Sequence, residues 1–326
     1  GVELSNIDES VNPGDNFFKY VNGAWLDTTE IPGDKSRYGA FTQLRDLSDE
    51  RVKVIIEEAA AKSAPAGSEE QKIGDFYAAF MDTDAIEAAG LAPVKADIDR
   101  IRAVKTRADV AALMGDPAMG VRAPVGGWVD VDVKDIENYI FYLTQSGLGM
   151  PNKNYYSDTD EKSVELRAAY VDYLTAMLSE AGLDNPAARA AKIMAFETDM
   201  AASHWTPTKR RDRSLTYNKM SLEDLKSYAP GFPWDAMLAA SNLSDQDTFV
   251  VRENDAIQGL AATFGKTDME TLRDYMTAHY IGGNAAYRPS RIDDARFEFY
   301  GKALRGTKEQ RARWKRAVSQ IDGTMG

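Results

Sequence analysis

Arg37, Phe41 and Arg45 stand four residues apart in the run Ser36-Arg37-Tyr38-Gly39-Ala40-Phe41-Thr42-Gln43-Leu44-Arg45-Asp46. On a helix that spacing stacks the three on one face. Two planar guanidinium forks flanking an aromatic ring suit a carboxylate next to an apolar side chain, which is the chemistry of a peptide's end. On type and spacing alone the commoner reading is an amphipathic helix with solvated arginines beside a core phenylalanine. Other reactive groups are sparse. The two histidines, His204 and His279, belong to no His-Glu-x-x-His motif and have no carboxylate at helical ligand spacing. His204 lies at an expected helix end and His279 in an aromatic-flanked stripe, so capping and packing are their expected roles. Asp130-x-Asp132-x-Lys134-Asp135 lacks the glycine and distal glutamate of a calcium loop. There is no phosphate loop, no dinucleotide-binding glycine pattern and no Gly-x-Ser-x-Gly elbow. Cysteine is absent, which excludes disulfides, a thiol nucleophile and thiolate metal ligands. By its own residues the chain shows no complete catalytic site.

The elements that must position these residues are mostly helical. At 326 residues, 44% hydrophobic and 28% charged, the chain is long and apolar enough to bury a large core. Its net charge of −12 argues against a nucleic-acid partner, because binding a phosphate backbone needs a basic surface. No apolar run approaches the ~20 residues of a bilayer-spanning helix. Residues 1–35 are turn-rich around Phe17, Phe18, Tyr20 and Trp25. A helix is expected over about 38–62, ending at the break Ser63-Ala64-Pro65-Ala66-Gly67, the best linker candidate. Ser68 and Gln71 form a capping-box pattern. Ile73, Phe76, Tyr77, Phe80 and Met81 follow as a helical stripe. Further helices are expected near 92–104, 107–115, 160–182, 186–203, 221–228, 254–264 and 268–281. Asn185 before Pro186, Ser221 and Thr267 are their caps. Period-two alternation over Trp128–Val133, with Tyr139–Leu143, predicts a β-hairpin, and Thr248–Val251 a short strand. The expected class is mostly α with a small β-hairpin element.

Several ordered blocks carry a resemblance. They are Asn12-Pro13-Gly14-Asp15-Asn16-Phe17-Phe18 through Trp25-Leu26, the Arg37 to Asp46 run, and Gly147-Leu148-Gly149-Met150-Pro151 ending in Tyr155-Tyr156. Arg211-Asp212 with Tyr217-Asn218-Lys219-Met220, and Phe299-Tyr300-Gly301-Lys302 through Arg313-Trp314-Lys315-Arg316, continue the series. In this order they resemble the neprilysin and endothelin-converting-enzyme family of zinc metallopeptidases over essentially the whole chain.

The resemblance implies that this chain is the N-terminal half of a bacterial member that hydrolyses short peptides, in a periplasmic or secreted setting. The start at Gly1-Val2-Glu3 suits a processed N-terminus and, equally, loss of an initiating methionine. Zinc, the His-Glu-x-x-His motif and the Asn-Ala-x-Tyr substrate strand would belong to a C-terminal catalytic half. Residues 1–62 would pack on that half and line the cleft, while 63–326 would form a helical cap roofing a central cavity. Arg37, Phe41 and Arg45 match primed-side substrate positions: the arginines for the peptide backbone or C-terminal carboxylate, the phenylalanine for the first primed pocket. Thr42 replaces an acidic residue found in the best-known relative, which leaves that corner less polar. The alternative is a stand-alone peptide-binding module without hydrolytic activity.

Overall fold

The computed structural model describes residues 3–325, and the chain divides into two compact units. One runs to Met81 and recruits the segment from Arg305 onward; the other is 82–304. In the first unit, the turn at Asn12–Gly14 is closed by the Asn12 side chain, which accepts from the Gly14 N–H. Asn16 then caps helix α1 (Phe17–Thr28) by accepting from the Lys19 N–H. Helix α2 (Ala40–Ala61) and helix α3 (Glu69–Met81) pack with the helix Arg313–Met325. Ile56, Val318 and Ile321 form their small core, flanked by Val52, Ile73, Phe76, Tyr77 and Trp314. The break at 63–67 is the turn between α2 and α3. The Ser68–Gln71 box is half made: Ser68 accepts from the Gln71 N–H, but the Gln71 side chain reaches past Ser68 to the Gly67 N–H.

The second unit is built on a larger core. Tyr170, Leu174, Ile193, Phe264, Tyr275 and Ile281 bring together the helices Glu161–Glu180, Pro186–Ser203, Asn254–Lys266 and Met269–Gly283. Two expected caps differ in detail. Pro186 does open its helix, but Asn185 is left-handed at φ 48° and makes no side-chain cap. Thr267 closes the preceding helix, and Asp268 caps the next by accepting from the Thr271 N–H.

The expected hairpin forms as β1 (Val125–Asp132) and β2 (Asp135–Gln145), with Trp128 opposite Tyr142. It joins a four-stranded sheet of order β1-β2-β4-β3, in which β3 is Asn218–Ser221 and β4 is Thr248–Val251. β2 and β4 pair in parallel, whereas the outer pairs are antiparallel. The described chain is 61% helical, so the mostly α class with a small β element holds.

The hairpin end is locked by a buried carboxylate. Asp132, 1% exposed, accepts from the Tyr217 hydroxyl at 2.7 Å, Lys219 Nζ at 3.0 Å and the Lys134 N–H at 3.0 Å. Burial alone would raise its pKa; the three donors overcome it and hold the carboxyl at about 2, below the usual 3.8. A depressed carboxylate contributes stability that is complete above pH 3.8 and is lost as pH falls toward 2. Acid unfolding of Asp132→Asn followed by circular dichroism is therefore expected to lose part of the wild-type pH dependence in that window, with a lower plateau stability at neutral pH.

Candidate functional site

The first unit carries a groove of about 570 Å³ between α2 and the helix Arg313–Met325. Phe41, Thr42, Arg45, Ser48, Asp49 and Val52 line one wall over successive turns of α2. Val318, Ser319 and Asp322 line the other. Phe41 is 90% exposed, an apolar ring standing in solvent at the mouth. Arg45 lies one turn on and forms no ion pair among the described residues. The floor is satisfied internally: Asp49 is paired with Arg311, whose other nitrogen donates to Ser319 Oγ at 2.8 Å.

Arg37 is placed differently from the helical expectation. Gly39, extended at φ 173°, caps α2, so the helix begins at Ala40 and Arg37 precedes it. The segment before the helix is held by tertiary contacts. Tyr38 stacks on Trp25 at 6.4 Å, and Lys35 bridges Asp34 and Asp46 at 3.2 and 3.1 Å. Burial opposes the charge on Lys35, but the two carboxylates prevail and raise its pKa. The structure thus brings Phe41 and Arg45 into one groove and leaves Arg37 exposed outside its lining.

In the second unit the glycine-rich block is a loop clamped through its backbone. The carbonyls of Ser146, Gly147, Leu148 and Gly149 accept in turn from His204, Tyr275, Arg122 and Tyr300. The Gly149 N–H donates to Glu197 at 2.8 Å and the Met150 N–H to the Tyr156 hydroxyl at 3.0 Å. Glu197, fully buried, also accepts from Tyr156, Tyr170 and His279. Burial pushes its pKa up, yet His279 and the other donors win and keep it below the ordinary value. Burial likewise lowers the pKa of His279, whose Nε2 faces the acceptor-only carboxylate at 2.7 Å and donates to it. Both glycines are required. Gly147 sits at φ 96°, and a Cβ on Gly149 would lie 1.7 Å from the Tyr170 hydroxyl.

His279 is thus committed to Glu197, while His204 meets the Ser146 carbonyl and has a pKa depressed by burial to about 4. Among the described residues no three His, Cys, Asp or Glu side chains converge on a metal position. The residues present do not fit a zinc ion. The spacing pattern singled out neither Glu197 nor the far wall of the groove. Glu197 gathers its partners from residues 149, 156, 170 and 279, and the far wall comes from residues 318–322.

The architecture is similar to one half of solved zinc metalloproteases. Mycobacterium tuberculosis zinc metalloprotease ZMP1 in complex with an inhibitor superposes with a TM-score of 0.94 at 34% identity, covering 100% of this chain and 50% of that one. PepO from Lactobacillus rhamnosis shares the fold with a TM-score of 0.77 at 17% identity, over 96% of this chain and 50% of that one. Residues 13–326 match the N-terminal sequence profile of peptidase family M13, and the chain belongs to that family. Rat endothelin-converting enzyme 1 is 25% identical over 99% of this chain and 44% of its own length; the human enzyme is 26% identical over 99% and 43%. The chain therefore spans less than half the length of these curated relatives.

Removing Glu197 by Glu197→Ala orphans four buried donors and is expected to cost about 3–5 kcal/mol. Urea unfolding of the second unit, monitored by near-ultraviolet circular dichroism, measures this. Gly149→Ala is expected to be comparably disruptive through its clash with Tyr170. A variant with an unmoved midpoint would show that the clamp does not hold the loop.

Proposed function

We propose that this chain is the N-terminal, non-zinc-binding half of a neprilysin-like zinc metalloendopeptidase that hydrolyses short peptides. Its groove between α2 and the helix Arg313–Met325 contacts the residues following the scissile bond. The observation that carries the reading is the pairing of a solvent-standing Phe41 ring with an unpaired Arg45 in one groove. A ring left 90% in water gains nothing for the fold, but it gains apolar contact once a peptide side chain covers it. Arg45 offers a guanidinium fork to a backbone carbonyl or C-terminal carboxylate. Arg37, on the extended segment ahead of α2, supplies a second cation to the same end of the peptide.

Zinc and the catalytic residues would reside in a C-terminal half. Family membership, and the 50% share of ZMP1 that the chain covers, support this. The flank of α2 beside the groove supports it too: Leu44, Leu47, Val54 and Ile55 are exposed there, an apolar stripe suited to cover by another part of a larger protein. In this reading residues 1–62 face the catalytic half and the helical remainder limits access to short peptides. The setting is periplasmic or secreted.

In the assembled enzyme, Arg45→Ala is expected to lower kcat/KM about tenfold for peptides with a free C-terminus, as loss of a charge-assisted contact does. Turnover of the matching C-terminal amides is expected to change little. Equal kcat/KM for wild type and variant on the free acids would remove Arg45 from the site. A chain that folds alone and binds peptides without metal or a second half would instead establish the stand-alone peptide-binding module.

A further inference from the structure

The groove presents two charged side chains without a partner among the described residues, and they sit on opposite walls. Arg45 projects from α2 and Asp322 from the helix Arg313–Met325. The third charge in the lining, Asp49, is already neutralised by Arg311, which also occupies the Ser319 hydroxyl. The half-buried Val52 supplies apolar surface beside the polar groups. From Phe41 to Val52 the α2 wall runs about 16 Å at ~1.5 Å per residue. That is room for about five residues of extended peptide at ~3.3 Å each. A peptide that reaches only from Phe41 to Arg45 uses about 6 Å of this length, so the groove accommodates further residues and has a carboxylate ready for them.

We propose that Asp322 is a specificity-determining residue that makes the groove prefer peptides carrying a lysine or arginine on the primed side. The inference rests on the reading that the Phe41–Arg45 groove holds the peptide. A solvated carboxylate on an open wall contributes little to the fold. Once a peptide closes the groove, the same carboxylate loses water and must be compensated, so a neutral or acidic side chain placed over it is penalised. A lysine or arginine supplies the missing charge and buries its methylene stem along the half-buried Val52.

The test uses the intact peptidase and matched peptide series in which lysine, norleucine or glutamate occupies each position following the scissile bond in turn. At one position the wild type is expected to prefer lysine over norleucine about three- to fivefold in kcat/KM, the size of a partly screened ion pair. Asp322→Asn is expected to abolish that preference from both sides, lowering kcat/KM on the lysine peptide and raising it on the norleucine peptide, whose penalty the lost charge relieves. Asp322→Lys is expected to reverse it in favour of glutamate, a readout that a merely structural role would not give. Absence of a lysine preference in the wild type, or an equal loss on all three peptides in the variants, overturns the inference. If Arg45→Ala weakens turnover of free acids while the Asp322 variants change no preference, the inference alone fails. If neither residue has an effect, the groove is not where the peptide lies.

Discussion

A carboxylate sealed from water governs the second unit. Ionised Glu197 requires donors, and it finds them in a backbone amide, two tyrosine hydroxyls and an imidazole. Those four partners come from the loop at Gly149, the short helix containing Tyr156 and the helices that contribute Tyr170 and His279. One charge therefore fixes where several elements meet. Arg122, half-buried and donating to the Leu148 carbonyl, places a compensating cation nearby. Such an arrangement is costly to break and gains little by distortion, because every donor that leaves the carboxylate becomes an orphan in an apolar interior. The sheet uses the same device on a smaller scale at Asp132, where two side chains and one amide hold the end of the hairpin.

The first unit follows another logic. Its core is small, and α2 divides its surface between duties. One face lines the groove with Phe41, Arg45 and Val52 in its first turns and, continuing along the same stripe, buries Ile56 and Ala59 in its last; another face leaves Leu44, Val54 and Ile55 in solvent. A helix of 22 residues gives enough turns for these duties. The ion pairs around its start, Lys35 with Asp46 and Lys315 with Asp46, fasten the preceding segment and the late-returning helix to the same carboxylate. The groove is thus built by chain segments far apart in sequence that share one anchoring charge.

What could be read from the residues beforehand follows the range of the forces involved. Helical stripes, the hairpin alternation and the Ser221 cap are local, and each appears where its pattern places it. β3 was hidden because Asn218–Ser221 is too short to alternate and runs straight into the cap of the next helix. The helical stacking of Arg37 with Phe41 failed on a signal that was present: Gly39 between them favours a helix boundary, and four-residue spacing outweighed it. Glu197 gave no local sign, since it sits in the run Met194-Ala195-Phe196-Glu197 and resembles one more polar break in an apolar helix. Phe41 and Arg45 were legible as a pair because residues one turn apart share a face. Asp322 was not, because nothing near it in sequence announces which helix it will meet.

The exposure of Phe41 has a consequence for how this position can change over time. A side chain equally wetted in the folded and unfolded chain contributes almost nothing to the difference between them, so cellular quality control, which senses unfolding, does not register its replacement. On the proposed reading, substitutions there are filtered by the peptide the groove holds and not by whether the protein folds. Gly149, packed against the Tyr170 hydroxyl, is in the opposite position, where any added atom is exposed to proteolytic triage before function is ever tested. The two sites therefore evolve under separate filters, and the chain can retune one without risking the other.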